Sequence, residues 1–277
     1  MEGGASIAIE KLRGILRGYG SLVVAFSGGV DSAVVLALAR EELGDRVIGA
    51  IGNSAAYPAR ELADARELGV RLNVPIRVVE TGEQRDPRYL ANTADRCFYC
   101  RSDLFDRLAR LAAEEGFAHV ADGVHQDDLA DHAGGMKAAR RYGVRSPLLE
   151  AGLGKASVRA VARRMNLPVW DKPALACLAS RLPSGTPITP ALLRRVAEAE
   201  ESLRVLGFTD FRVRHHGDLA RIELRAADMP KALECSEIIV GALAQVGYRH
   251  VTLDLKPRRD LQLGVIYAVP GPPPGAI

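Results

Sequence analysis

Short apolar runs alternate with longer amphipathic stretches through the first half of the chain, and this alternation predicts strands and helices in turn. A loose start over 1–6 leads into an amphipathic helix over 7–17. Leu22-Val23-Val24-Ala25-Phe26 follows, β-rich and apolar on both faces, the pattern of a strand covered on both sides. Ala33-Val34-Val35-Leu36-Ala37-Leu38-Ala39 has the composition of a buried helix, with Asp31 and Ser32 in its first turn, where acceptor side chains are favoured. Residues 46–51, 75–79 and 118–121 predict further strands, and 58–72, 102–115 and 157–165 predict helices. Pro58 suits a helix start, and Gly69 is expected to fray the same helix's end. Strands and helices at this spacing imply right-handed βαβ units, hence an α/β fold whose parallel sheet carries helices on both faces. Ligands of such sheets bind beyond the carboxyl ends of the strands, so chemistry is expected after Phe26, Ile51, Val79 and Ala121.

The rhythm then changes. Pro168, Pro173, Pro183, Pro187 and Pro190 among small residues predict an irregular connector, and Cys177 lies in it. Beyond it the pattern predicts a helix over 190–206, strands over 211–215 and 219–224 turned by His216-Gly217-Asp218, a helix over 229–246 and a strand over 248–255. The expected organisation is an α/β domain over 1–166, a connector over 167–190, a small α+β domain over 191–260 and a tail over 261–277. The tail ends in Gly271-Pro272-Pro273-Pro274-Gly275, which cannot fold.

Composition narrows the function classes. With 48% hydrophobic and 26% charged residues in 277, the chain reads as a soluble globular protein. No apolar run approaches the roughly 20 residues of a membrane helix, and no signal sequence opens the chain, so a cytoplasmic location without a membrane partner is expected. A net charge of +3, with arginines spread along the chain, argues against a nucleic-acid partner. Four cysteines in such a chain point to metal or catalytic sulfur rather than disulfides.

The candidate chemistry begins at Ser27-Gly28-Gly29-Val30-Asp31-Ser32, a glycine turn between a strand and a helix N-terminus. Free amides and the helix dipole make such a turn an anion site, although two glycines alone would also suit an ordinary tight connection. All six residues together resemble the SGGxDS signature of the PP-loop ATP pyrophosphatases, whose fold is the adenine nucleotide alpha hydrolase-like one. Unlike a Walker A loop, the turn ends without Gly-Lys-Ser/Thr and carries no lysine for a γ-phosphate. The resemblance implies that Ser27, Gly28, Gly29, Asp31 and Ser32, joined by Asp122 and Gly123 at another strand end, bind ATP, and that Asp31 places magnesium on the leaving pyrophosphate. The rest of the loop over 122–132 reads by itself as a solvated acidic loop, with His125 and His132 solvated too. Its carboxylates could hold magnesium, but their spacing does not require it.

Several further stretches are similar to one family, LarE, the sulfur-inserting enzymes of nickel-pincer cofactor biosynthesis. They are Arg145-Ser146-Pro147-Leu148-Leu149, Ala176-Cys177-Leu178-Ala179-Ser180-Arg181-Leu182-Pro183-Ser184-Gly185-Thr186, the stretch from Phe211-Arg212-Val213-Arg214 to Ile222-Glu223-Leu224, and His250-Val251-Thr252-Leu253-Asp254-Leu255. Two stretches depart from the family pattern, Asp131-His132-Ala133-Gly134-Gly135 and Lys256-Pro257-Arg258-Arg259-Asp260. The resemblance implies that ATP adenylylates a carboxylate of pyridinium-3,5-biscarboxylic acid mononucleotide and that sulfur displaces AMP. It implies Ser180, Arg181, Glu200, Arg212, Arg214 and Glu223 as substrate-binding residues. Arginine forks suit the substrate's phosphate and carboxylates, and period two puts Arg212 and Arg214 on one strand face; salt bridges to Glu200 or Glu223 are the simpler alternative.

Cys97-Phe98-Tyr99-Cys100 together with Cys177 matches the family branch in which three cysteines hold a 4Fe–4S cluster that carries the transferred sulfur. In the other branch the counterpart of Cys177 gives up its own sulfur. A structural zinc site is the alternative for the CxxC, though it normally takes four ligands. Cys235, in an apolar register, reads as a packed core residue. Expected partners are the small-molecule mononucleotide, the enzymes that act before and after it in cofactor biosynthesis, and further copies of the chain in a homo-oligomer. Rival readings are a tRNA thiolase, which would need a basic groove, an amide-forming ligase, which leaves the cysteines unexplained, and a non-enzymatic, nucleotide-responsive zinc regulator.

Overall fold

The apolar run after residue 21 forms β1 (Leu22–Ala25), buried along its whole length. The computed structural model describes residues 2–129, 133–173 and 177–258, without the side chains of 2–6 and 133. β1 pairs in parallel with β2 (Val47–Asn53) and β4 (His119–Ala121), and β2 pairs in parallel with β3 (Ile76–Glu80), which gives the order β3-β2-β1-β4. An interior strand needs apolar side chains on both faces. Leu22 and Val24 pack with α1 (Glu2–Tyr19), α2 (Val30–Leu43), α7 (Pro147–Ala151) and α8 (Lys155–Arg164), through Leu16, Leu36, Leu148 and Val158. Val23 and Ala25 pack on the other side with Phe105 and Leu108 of α5 (Arg96–Glu115) and Ala138 of α6 (Ala133–Arg141). The remaining helices of this part are α3 (Ala59–Arg71) and the single turn α4 (Pro87–Leu90). This is the expected α/β fold, a parallel sheet with helices on both faces.

A second sheet has the order β5-β6-β7, with β5 (Phe211–His216) antiparallel and β7 (His250–Leu253) parallel to β6 (Leu219–Leu224). Val213, Ile222 and Leu224 pack against α9 (Pro190–Val205), α10 (Met229–Glu234) and α11 (Ser236–Gln245) through Leu203, Ala232 and Leu243. β5 alternates buried and half-buried positions, so Arg212 and Arg214 share the face turned away from this core. A fourth apolar cluster joins the two parts, with Ala56 and Tyr89 packed on Leu178, Leu182 and Ile188 of the connector and Leu193 and Val196 of α9.

Four expectations need correction. The first helix begins at Glu2, so 2–6 is not a loose start. α5 begins at Arg96, which places the CxxC in its first turns rather than before it. The long helix expected over 229–246 breaks into two at Cys235 (φ −93°, ψ 15°), which half-buries against the second core. Gly69 does not fray α3, because its backbone packs directly on β3 and an added Cβ would meet Ile76 Cγ1 at 2.2 Å. Gly69→Ala is accordingly expected to cost about 1–3 kcal/mol by overpacking, read as a lower urea midpoint. A midpoint equal to the parent's would mean that Ile76 turns aside freely. Among the described residues no helix is long and apolar enough to cross a membrane. The tail over 261–277 lies outside the described residues.

Candidate active site

The turn after β1 is built around two glycines with different tasks. Gly28 has φ +66°, and an added Cβ would stand 2.8 Å from Ala65 Cβ of α3, so both conformation and space exclude a side chain. Gly29 is the extended N-cap of α2 and offers no side-chain cap. The helix therefore turns uncapped first-turn amides toward the space before it, where an anion gains from both amides and dipole. Ser32 Oγ donates to Gly29 O (3.2 Å) and accepts from Ser27 N (3.2 Å), tying the two ends of the turn together. Tyr57 Oη donates to Ser27 O (2.9 Å) from the segment before α3.

Asp31 occupies the first turn of α2, and its carboxylate accepts two hydrogen bonds from Lys155 Nζ, at 2.8 and 2.6 Å. His125 Nε2 lies 3.7 Å from Asp31 Oδ1. The loop after β4 comes so close to α2 that a Cβ on Gly123 would meet Ser32 N at 2.8 Å, which explains glycine there. Asp122 is buried, accepts from Ser146 Oγ (2.8 Å) and Val124 N (3.1 Å), and is pushed above the usual carboxylate range by that burial. The solvated reading of this loop fails at His125, which is only 4% exposed. Its backbone N donates to Asp128 Oδ2 (3.0 Å), and Asp127 Oδ2 accepts from Lys155 N (2.6 Å), so the acidic residues shape the loop. Asp131 and His132 lie outside the described residues.

The cysteines come from two directions. Cys97 and Cys100 stand three residues apart in the first turns of α5 and so share a face. Cys177 precedes the helical turn Leu178–Arg181, which is docked by Leu178 N donating to Ala56 O (2.9 Å). Asn92 and Arg96 join the two segments. Asn92 Nδ2 donates to Pro183 O (2.8 Å) and Thr186 O (2.9 Å), and Arg96 Nη1 donates to Asn92 Oδ1 (2.7 Å) and Ala179 O (3.0 Å). Burial opposes the charge of Arg96, yet Cys177 and Cys97 beside it hold its guanidinium above the ordinary value. Cys97 and Cys177 are exposed, whereas burial, with Glu83 and Cys177 nearby, pushes the Cys100 thiol up to about 12. Among the described residues no three His, Cys, Asp or Glu side chains are already gathered around one metal-ion position.

The six expected substrate residues do come together. Arg181 and Glu200 form a buried pair (Nε to Oε1 2.8 Å), and Glu200 Oε1 also accepts from Val213 N (3.1 Å). Arg214 Nε donates to Glu223 Oε1 (2.8 Å) while its Nη1 donates to Ser180 O (2.7 Å). Despite burial, Glu223 is held below its ordinary value by Arg214, Arg221 and Arg212. Arg212 makes no side-chain hydrogen bond or ion pair among the described residues. Burial first, then Arg258, Arg181 and Arg214, lower it to about 10. Arg258, from the stretch that departs from the family pattern, donates to Asp210 Oδ1 (3.0 Å). Ser180 Oγ donates to Cys177 O (2.8 Å) and accepts from Arg181 Nη1 (3.0 Å), so the cysteine segment runs straight into the arginine cluster. Lys155 carries no motif, His125 reads from the sequence as solvated, and Arg258 lies in a stretch set apart only by its departure from the family pattern.

No protein-family model matches the chain. It is 39% identical over 254 residues to an uncharacterised protein of Synechocystis sp., a match covering 89% of this chain and 94% of that one. Over 254 residues it is 37% identical to the pyridinium-3,5-bisthiocarboxylic acid mononucleotide synthase of Lactiplantibacillus plantarum, covering 91% of this chain and 92% of the synthase. The tRNA-specific 2-thiouridylase MnmA of Leptospira biflexa is 28% identical over 191 residues, covering 55% of this chain and 50% of that enzyme.

Proposed function

Because this chain belongs to the LarE family, ATP-dependent sulfurtransferases of the PP-loop superfamily, we propose that it converts a carboxylate of pyridinium-3,5-biscarboxylic acid mononucleotide into a thiocarboxylate. A substrate carboxylate oxygen attacks the α-phosphorus of ATP, and pyrophosphate leaves with the electron pair of the broken P–O bond. The resulting acyl-adenylate has a good leaving group. A sulfur nucleophile then forms the C–S bond, and AMP departs with the C–O electron pair. The observation that carries this reading is the continuity from Cys177 through Ser180 and Arg181 to Arg212. It links the segment that carries Cys177 to a cluster with a half-buried, unpaired guanidinium, which supports a role for Arg212 in holding the phosphate or second carboxylate. A tRNA thiolase is disfavoured, since MnmA matches only about half of this chain.

Two inorganic partners fit the residues present. Magnesium is usually held by one or two carboxylates plus substrate phosphates, so it needs no ready-made cage, and Asp31 would hold it where it neutralises pyrophosphate charge. The thiolates of an iron–sulfur cluster bind separate irons and stand farther apart than the ligands of one ion. Cys97, Cys100 and Cys177 would hold a 4Fe–4S cluster in that way, and the cluster would supply the transferred sulfur.

The test is anaerobic turnover of the mononucleotide with ATP, followed by mass spectrometry and pyrophosphate assay. Thiocarboxylate, AMP and pyrophosphate are expected together; no pyrophosphate on adding the mononucleotide would overturn the reading. Arg212→Lys, which loses the planar fork, is expected to weaken mononucleotide binding about tenfold or more and to leave ATP affinity unchanged. Equal loss of ATP binding would place Arg212 at the nucleotide instead.

A further inference from the structure

We propose that the Tyr89 hydroxyl is a positioning group of the sulfur site, donating a hydrogen bond to a sulfur held between Cys100 and Cys177. The inference rests on the reading in which Cys97, Cys100 and Cys177 hold a 4Fe–4S cluster, and it adds a residue to that reading. Tyr89 is 1% exposed, and its Oη has no hydrogen-bond partner among the described residues. A buried hydroxyl without a partner forfeits the hydrogen bonds it makes in water, whereas a phenylalanine there would forfeit nothing. The hydroxyl therefore calls for an acceptor that arrives with the contents of the sulfur site.

Its surroundings bring sulfur from two segments. Tyr89 packs in one apolar cluster with Leu178 and Ala179, the two residues after Cys177, and Cys100 packs against the same cluster. The backbone that carries Tyr89 is fixed between them. Asp86 caps α4 by accepting from Arg88 N (2.9 Å), Asn92 N donates to Tyr89 O (3.0 Å), and Ile188 N of the connector donates to Leu90 O (2.8 Å). Burial first, then Cys100 and Cys177, push the hydroxyl above its ordinary value, so it keeps its proton and remains a donor. At Cys97 a donor to sulfur is already in place, because Arg96 Nη2 donates to Cys97 Sγ at 3.8 Å. Tyr89 serves the Cys100 and Cys177 side in the same way.

Glu83 is the competing acceptor. It is 2% exposed, and its Oε2 also lacks a partner among the described residues. Its charge acts on the Tyr89 hydroxyl less than that of either cysteine, and the two side chains stay unbonded to each other. A purely structural role, in which the ring alone matters, is the other explanation. Hydrogen bonds to the sulfurs help to set the potential of an iron–sulfur cluster, because they favour its more negative, reduced form. A donor to sulfur therefore leaves a signature that neither packing nor a bond to Glu83 would leave.

The test compares the parent with Tyr89→Phe, which keeps the ring and its packing, in intact anaerobic protein loaded with iron and sulfide. Loss of the donor is expected to disfavour one-electron reduction of the cluster about tenfold, a potential lower by about 59 mV, at unchanged iron content. Proton ENDOR spectra of the reduced protein, recorded in light and in heavy water, locate the hydrogen itself. The parent is expected to show an exchangeable proton coupled to the cluster that Tyr89→Phe lacks. Equal potentials, or the same exchangeable protons in both proteins, would give the hydroxyl to Glu83 or to packing and overturn the proposal while the cluster stands. A variant that holds less iron than the parent would make Tyr89 a structural residue and overturn it too. A parent protein that takes up no iron would overturn the cluster reading, and this proposal with it.

Discussion

Asp31→Ala is expected to reduce pyrophosphate release by about 10²- to 10³-fold while the protein keeps its fold. The carboxylate sits at the start of α2, where the turn presents its amides, and its hydrogen-bonding partner is a lysine side chain rather than the backbone. Removing it creates no cavity, since a quarter of the side chain is exposed and the core beneath is made by Val30, Ala33 and Val34. On the proposed reading it also removes the carboxylate that would hold magnesium beside the pyrophosphate. That loss would act on the departing pyrophosphate and not on the adenosine end. The readout is a coupled pyrophosphate assay with saturating ATP and mononucleotide, with thermal unfolding as the control. Near-normal release from a variant that melts like the parent would reduce the turn to a structural connection.

How far this site could be read from the sequence depends on how local its causes are. β1 was legible because an interior strand must be apolar on both faces, and the glycine turn because Gly28 needs both a positive φ and open space. Arg212 and Arg214 were legible as face-mates by the period of a strand. Their partners were not. Arg212 lies directly across from Glu223 in the β5–β6 register, yet Glu223 bonds the diagonal Arg214. Arg214 faces the like-charged Arg221, and Glu223 between them also takes Arg221 Nη2 at 3.1 Å, which draws it away from Arg212 and leaves that guanidinium unpaired. Lys155 stands in no motif, and His125 reads from the sequence as solvated, for a different reason. Each reaches Asp31 only because β4 lies beside β1 and α8 packs on α2, and no spacing along the chain encodes that meeting. The break at Cys235 interrupts a continuous helical pattern, and the sequence there carries neither glycine nor proline to announce it.

Cys177→Ser is expected to lower thiocarboxylate formation by more than about 10³-fold and to leave mononucleotide-dependent pyrophosphate release in place. Cys177 is exposed, and the segment around it is docked through backbone and through Asn92 and Arg96, so the thiol itself carries none of the packing. Among the described residues the turn proposed to bind ATP makes no hydrogen bond to the sulfur. Parallel loss of pyrophosphate release would therefore place Cys177 in the fold or at ATP, contrary to the assignment. The fate of Cys177 in the parent protein then separates the two sources of sulfur. If Cys97, Cys100 and Cys177 jointly hold a cluster, anaerobic protein carries about four irons per chain, loses them on replacement of any of the three, and keeps them in Cys235→Ser. Cys177 then survives turnover with its mass unchanged. A loss of about 34 Da at Cys177, the mass of hydrogen sulfide and the mark of conversion to dehydroalanine, would instead make the thiol itself the donor and limit each chain to one sulfur.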